Sequence, residues 1–424
     1  MLRQPFFFHY LFFLIFSCLF VRCTSEIDSH QLPLSNNESI VLIGNNLCSR
    51  MLNFGHFETE MHLRYPSQNL QIRNMCDGGN TPGFRPHSGR FSPWAFPGAE
   101  RFQTELANFT NSKGHFETPD QWLKRLEADL ILAFFGYNES FAGEAGLANF
   151  KQEMTAFVEH TLAQEYNGES SSQLVLISPL AFEDLSDKYE LPDGKLENKN
   201  LALYAEAIRA VAIEYEIPFV DVFQPSQQWF SDDEALTIDG FQLNDTGYQK
   251  LAELLADRIF GQPNSSDEAN REQVLAAVLE KNWYWHDDYK SPNGVHVFGR
   301  RYNPFGPDNY PDEIQKKREM TANRDTAIWY AAAGKTYDLA TADAQTHPLK
   351  PVATNYKIND YGRGTQRYLY EEEAVSTLTT ANGYQVELFA SEKEFPDLAN
   401  PVQIAFDNRG RLWVAVIPTY PHYR

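Results

Sequence analysis

The sequence predicts an α/β fold: a three-layer sandwich around a roughly five-stranded parallel sheet, followed by a connector and a short β tail. Three observations carry this expectation. From residue 39, short apolar runs alternate with amphipathic helical stretches. The runs at 129–135 and 173–178 are apolar almost throughout, as strands buried on both faces must be. Gly44, Gly136 and Pro179 stop three of the runs abruptly. Strand–helix alternation implies right-handed crossovers, helices on both faces, and sites at the carboxyl ends of the strands.

In chain order, Ser39–Ile43 is the first strand candidate. Leu70–Arg73 is the second, followed by Cys76-Asp77-Gly78-Gly79. Asp129–Phe135, Gln173–Ser178 and Ile217–Val222 are the third, fourth and fifth. Leu201, Tyr204, Ala205, Ile208, Val211, Ala212 and Tyr215 recur at helical spacing and form one stripe. Thr246 and Gly247 open a helix that runs to about Phe260. Residues 265–380 are expected to form a connector that is partly helical. Within it, Arg271–Lys281 is a short helix, Trp283-Tyr284-Trp285-His286 to Tyr310 a loop-like aromatic run, and Asp312–Ala333 a long helix. The aromatics could stack on a sugar or cover a core face, the commoner role of such residues. In the tail, Gly383–Ala390 alternates as a strand does, and Val402–Phe406 and Leu412–Ile417 flank a hairpin turn at Asp407-Asn408-Arg409-Gly410.

The chain has 424 residues, 36 Lys plus Arg and 57 Asp plus Glu, for a net charge of −21. That charge disfavours nucleic acid and anionic lipid as partners. Residues 1–25 are expected to be a signal peptide: Arg3 gives a basic start, and the apolar run Phe6–Phe20 is short for a membrane span. The expected location is therefore periplasmic or extracellular, with an uncleaved anchor, or lipidation at Cys23, as alternatives. Cys18 and Cys23 belong to this segment, which leaves Cys48 and Cys76. These two are a candidate disulfide, and two reduced buried thiols are the alternative. No metal-ligand spacing or Cys-x-x-Cys-His haem site is present, so neither metal nor cofactor is expected here.

Four short blocks follow the strands. They are Ile43-Gly44-Asn45-Asn46-Leu47, Cys76-Asp77-Gly78-Gly79-Asn80, Gly136-Tyr137-Asn138-Glu139, and Asp239-Gly240-Phe241-Gln242-Leu243-Asn244. Their order and placement over residues 39–260 resemble the SGNH (GDSL-type) hydrolases. The resemblance implies an esterase fold with a serine nucleophile, a histidine base oriented by an aspartate, and an oxyanion hole. Carried over by position, Asn46 stands for the nucleophile, Gln242 for the base and Asp239 for the orienting acid. Gly79 and Asn138 stand for oxyanion donors. An amide nitrogen is a poor nucleophile, and glutamine does not titrate in the useful range. The expected module is therefore catalytically degenerate, binding glycan or acylated carbohydrate or serving as scaffold. The alternative is an active carbohydrate esterase with displaced residues, for which Ser49 and His87 are the candidates. Residues 383–424 resemble the first strands of the β-propeller in the membrane-bound dehydrogenase-type proteins of planctomycete-type bacteria. That resemblance implies a downstream propeller domain as partner, and a haem or quinone in a further C-terminal part.

Overall fold

The computed structural model describes residues 31–106, 113–232, 234–262, 268–351, 369–398 and 400–417. The expected signal peptide, with Cys18 and Cys23, lies outside these residues. The chain divides into two units, one ending at Lys350 and the other starting at Pro351.

Five parallel strands build the sheet of the first unit. They are β1 (Ser39–Gly44), β2 (Gln71–Asn74), β3 (Leu130–Phe134), β4 (Gln173–Ile177) and β5 (Phe219–Val220), in the order β2-β1-β3-β4-β5. The five strand expectations fall on these elements, with ends shifted by one or two residues. Alternate residues point to opposite faces, so each apolar strand feeds two cores. Ile40, Leu42, Leu130, Leu132, Val175 and Ile177 face one core. Val41, Ile43, Ile131, Ala133, Leu174 and Leu176 face the other. Each such Val, Leu or Ile side chain, fully buried, stabilises the fold by about 1.5–3 kcal/mol.

The first core is closed by α1 (Asn46–Phe54), α2 (His56–Arg64) and, after the strands, the helix Asp245–Phe260. The second is closed by α3 (Pro119–Arg125) and by the helices Gly143–Leu162 and Lys195–Glu214. In chain order these later helices are α4 (Tyr137–Ser140), α5 (Gly143–Leu162), α6 (Lys195–Glu214), α7 (Phe223–Trp229) and α8 (Asp245–Phe260). Thr118 and Gln121 form a reciprocal capping box at the start of α3, and Pro119 follows where its missing N–H costs nothing.

Residues 268–350 differ from the expected connector. They form α9 (Arg271–Tyr289), α10 (Gly294–Val297), α11 (Gly306–Ala332) and α12 (Leu339–Ala344), and they belong to the first unit. The aromatic run expected as a loop is helical through Tyr289. Trp285 and Tyr289 pack on Trp122 in the core, whereas Trp283 is exposed. Buried polar contacts fasten this helical layer to the sheet. Lys281 Nζ donates to Glu58 at 2.7 Å and to the Ile72 carbonyl at 3.0 Å. Trp285 Nε1 donates to the Asn74 carbonyl at 2.7 Å. Arg73 on β2 pairs with Asp325 on α11, and both are buried.

The second unit holds α13 (Glu371–Ser376) and an antiparallel hairpin of β6 (Pro401–Phe406) and β7 (Leu412–Val416). Asp407 closes the expected turn by accepting from the backbone N–H of Arg409 and Arg411. Residues 383–390 are not a strand, because their alternation meets no pairing partner among the described residues and a lone strand has no ladder.

Candidate functional site

The sheet order reverses between β1 and β3, and a doubly wound sheet opens a crevice at such a point. The chain leaves β1 through Gly44, whose φ is +146°. A Cβ there would lie 2.2 Å from the Phe134 carbonyl oxygen, so only glycine fits. Asn45 donates its N–H to that same carbonyl at 3.0 Å. Asn46, the first residue of α1, is partly exposed at the strand tip.

The loop after β2 reaches across. Asp77 N–H donates to the Gly44 carbonyl at 3.0 Å, and Asn80 Nδ2 to the same oxygen at 3.1 Å. A Cβ on Gly78 would lie 3.8 Å from Asn46 Oδ1. Gly79 is exposed, and a Cβ there would meet nothing within 4 Å. Cys48 and Cys76 form a disulfide with Cα atoms 5.8 Å apart, which ties α1 to this loop. Lys290, at the end of α9, pairs with Asp77 at 2.8 Å and also contacts the Cys76 carbonyl.

Asn138 follows β3. Its Nδ2 donates to the Gly78 and Asn80 carbonyls, both at 2.9 Å. The Asn138 amide nitrogen is thus engaged with the backbone of the loop after β2. Glu139 beside it accepts from Gly136 N–H at 2.8 Å, while its other oxygen is buried without a partner among the described residues. Burial, then the charge of Glu153, pushes its carboxyl up to about 8.

The last block comes to the same place through two contacts. Tyr137 stacks on Phe241 with centroids 3.3 Å apart, and Tyr248 hydroxyl donates to the Leu47 carbonyl at 3.0 Å. Glu183 holds the loop by accepting from Leu236 N–H, Thr237 N–H and the Thr237 hydroxyl. Asn244 caps α8 through Gly247 N–H at 2.9 Å. Asp239 accepts from the backbone N–H of Phe241 and Gln242, and Gln242 Nε2 donates to its second oxygen at 2.8 Å. The carboxylate orients the side chain three residues on, but that side chain is a carboxamide and takes no proton.

The substitute candidates do not enter this cluster. Ser49 lies inside α1, its N–H bonded to the Asn45 carbonyl. His87 accepts from Gly89 N–H at Nδ1 (3.1 Å) and so donates from Nε2 to the Lys290 carbonyl (2.9 Å). Its ring stacks on Phe116 at 3.7 Å. Burial and the charge of Arg90 lower its pKa to about 4, so it is a neutral packing residue. Phe141, missed from the sequence, stands edge-on to Tyr137 at 5.4 Å and is 73% exposed. An aromatic at the fourth position after a site aromatic was the available signal. No cluster of metal-ligating side chains occurs among the described residues.

Residues 86–250 match the GDSL-like lipase/acylhydrolase family. Residues 370–424 match a domain of unknown function, DUF7133. Solved structures similar to the chain include a catalytic mutant of an acetylxylan esterase from Geobacillus stearothermophilus, at 14% identity and TM-score 0.37. That match covers 56% of this chain and all of the other. A second is an α/β hydrolase from the metagenome of Lake Arreo, Spain, at 13% identity and TM-score 0.36, covering 53% and 96%. A third is a gut microbial diltiazem-metabolizing enzyme, at 14% identity and TM-score 0.39, covering 53% and 47%. No curated protein matches the chain.

Proposed function

We propose that the first unit is a non-hydrolysing module of GDSL-type esterase architecture that binds acylated carbohydrate at the strand-end cluster. One observation carries the reading: carboxamides occupy both reacting positions, and Gln242 is hydrogen-bonded to Asp239 as a base would be, without being one. An acyl transfer site needs a deprotonatable attacker beside a proton acceptor. Asn46 is partly exposed at the strand tip, so its amide can donate to and accept from a ligand. Phe141 offers an exposed ring beside Tyr137, suited to a sugar face. The apolar run Phe6–Phe20 supports export. The hairpin leaves Val402, Ile404 and Phe406 more than half exposed, which supports a larger β structure there, such as a propeller with its own redox cofactor.

The test uses the full chain with p-nitrophenyl acetate and acetylated xylan. Expected are no turnover above background, calorimetric binding of acetylated xylo-oligosaccharide, and weakened binding in Asn46→Ala. Turnover that survives Asn46→Ala overturns the reading. The pair Asn46→Ser with Gln242→His should gain weak esterase activity that neither single substitution gives, since the two act as a unit. With Asn138 turned to backbone, that gain should stay about 10²–10³ below a site with a complete oxyanion hole.

A further inference from the structure

A groove of about 610 Å³ lies in the first unit between α10, α11, the end of α3 and the loop before α3. None of the strand-end residues lines it. Its apolar floor includes Ile314, which packs against the core. One wall is aromatic: the rings of Tyr302 and Tyr310 lie 6.3 Å apart at 29°, and His115 meets Tyr302 edge-on at 4.4 Å. The other wall carries two guanidiniums. Arg125 and Arg318 sit over the Trp122 ring at 5.9 and 5.1 Å.

The hydrogen bonds of these arginines are incomplete. Arg125 donates from Nε and Nη2 to Glu117, at 2.8 and 2.5 Å, which leaves Nη1. Arg318 donates from Nε to Asp288 at 2.9 Å, and its Nη2 stands 3.9 Å from Glu117. Neither of its terminal nitrogens makes a hydrogen bond among the described residues. Glu117 therefore serves two cations, while Asp288 is buried. Glu319, the acid on the groove wall, is turned to the N–H of His347 and to Gln315.

A planar donor fork beside aromatic faces suits a ligand with a carboxylate on a ring whose faces are apolar. The volume lies in the range of small-molecule sites and exceeds what a lone ion fills. We infer that this groove is a second carbohydrate site, and that it takes a hexuronate: the carboxylate meets Arg125 and Arg318, and the sugar ring lies against Tyr302 or Tyr310.

The experiment titrates the full chain with trigalacturonic acid and, separately, with xylotriose by calorimetry. Trigalacturonate should bind with a stoichiometry of one, and xylotriose at least about tenfold more weakly, the loss of a charge-assisted hydrogen bond. Arg125→Gln and Tyr310→Ala should each weaken trigalacturonate binding about tenfold, with melting temperatures near the parent's. Both side chains border solvent, so both variants should fold. Asn46→Ala should leave trigalacturonate binding unchanged, which separates this site from the strand-end cluster. No binding, equal binding of xylotriose, or loss through Asn46→Ala alone would overturn the inference.

Discussion

Asp325→Ala tests whether the helical layer and the sheet form one cooperative body. Arg73 Nη1 donates to Asp325 Oδ1 at 2.9 Å and to the Ile72 carbonyl at 3.1 Å, and Nη2 contacts Asp325 Oδ2. The two side chains are 6% and 4% exposed, and the guanidinium lies 5.5 Å over Trp285. Removing the carboxylate leaves a buried cation that does not deprotonate. The expected cost is about 3–5 kcal/mol, the range for stranding one member of a buried pair. Replacing both, as Arg73→Met with Asp325→Leu, should recover most of that loss, because the stranded charge and not the missing attraction dominates. Urea unfolding of the described first unit, followed by tryptophan fluorescence and far-ultraviolet dichroism, measures both. The midpoint should fall with an unchanged slope. A loss under about 1 kcal/mol, or a separate transition for residues 268–350, would refute the reasoning.

Two further predictions concern protons. Glu139 keeps its proton in the folded state to about pH 8, whereas the unfolded chain releases it near 4.5. Stability from this group therefore falls as pH rises from 4.5 towards 8, and Glu139→Gln should flatten that part of the profile; a parallel profile would sink the claim. His87 has the opposite linkage: its folded pKa is near 4, below the ordinary 6.5, so stability is lost as pH falls between those values. A nuclear magnetic resonance titration should find its imidazole flat from pH 5 to 8, and a midpoint near 6.5 would contradict the packing role.

The sheet was legible because a strand buried on both faces has no polar positions to disguise it. Leu130–Phe134 and Gln173–Ile177 carry that signal, and the glycine at the end of β1 marks the close approach of Phe134. The helix α9 was half-hidden for the complementary reason. Its buried stripe runs Val274, Val278, Lys281, Asn282, Trp285, Asp288 and Tyr289, and three of those residues look like surface. Lys281 and Asp288 are tolerated inside only because Glu58 and Arg318 meet them, partners more than 25 residues away. No local pattern reveals such a match.

Residue types named the reacting positions, but bond directions decide what those positions do. A site prepared for acyl transfer holds donors aimed at an oxygen that is not yet charged, and that readiness is most of its power. Here the Asn138 amide closes on the Gly78 and Asn80 carbonyls, and the Gln242 amide closes on Asp239. The His87 ring is held between Gly89 and Lys290. These three polar groups are satisfied by their own chain instead. Restoring a serine and a histidine would therefore supply an attacker and a base while the Asn138 amide stays on backbone carbonyls. We expect these Asn138 contacts to limit any activity recovered at Asn46 and Gln242.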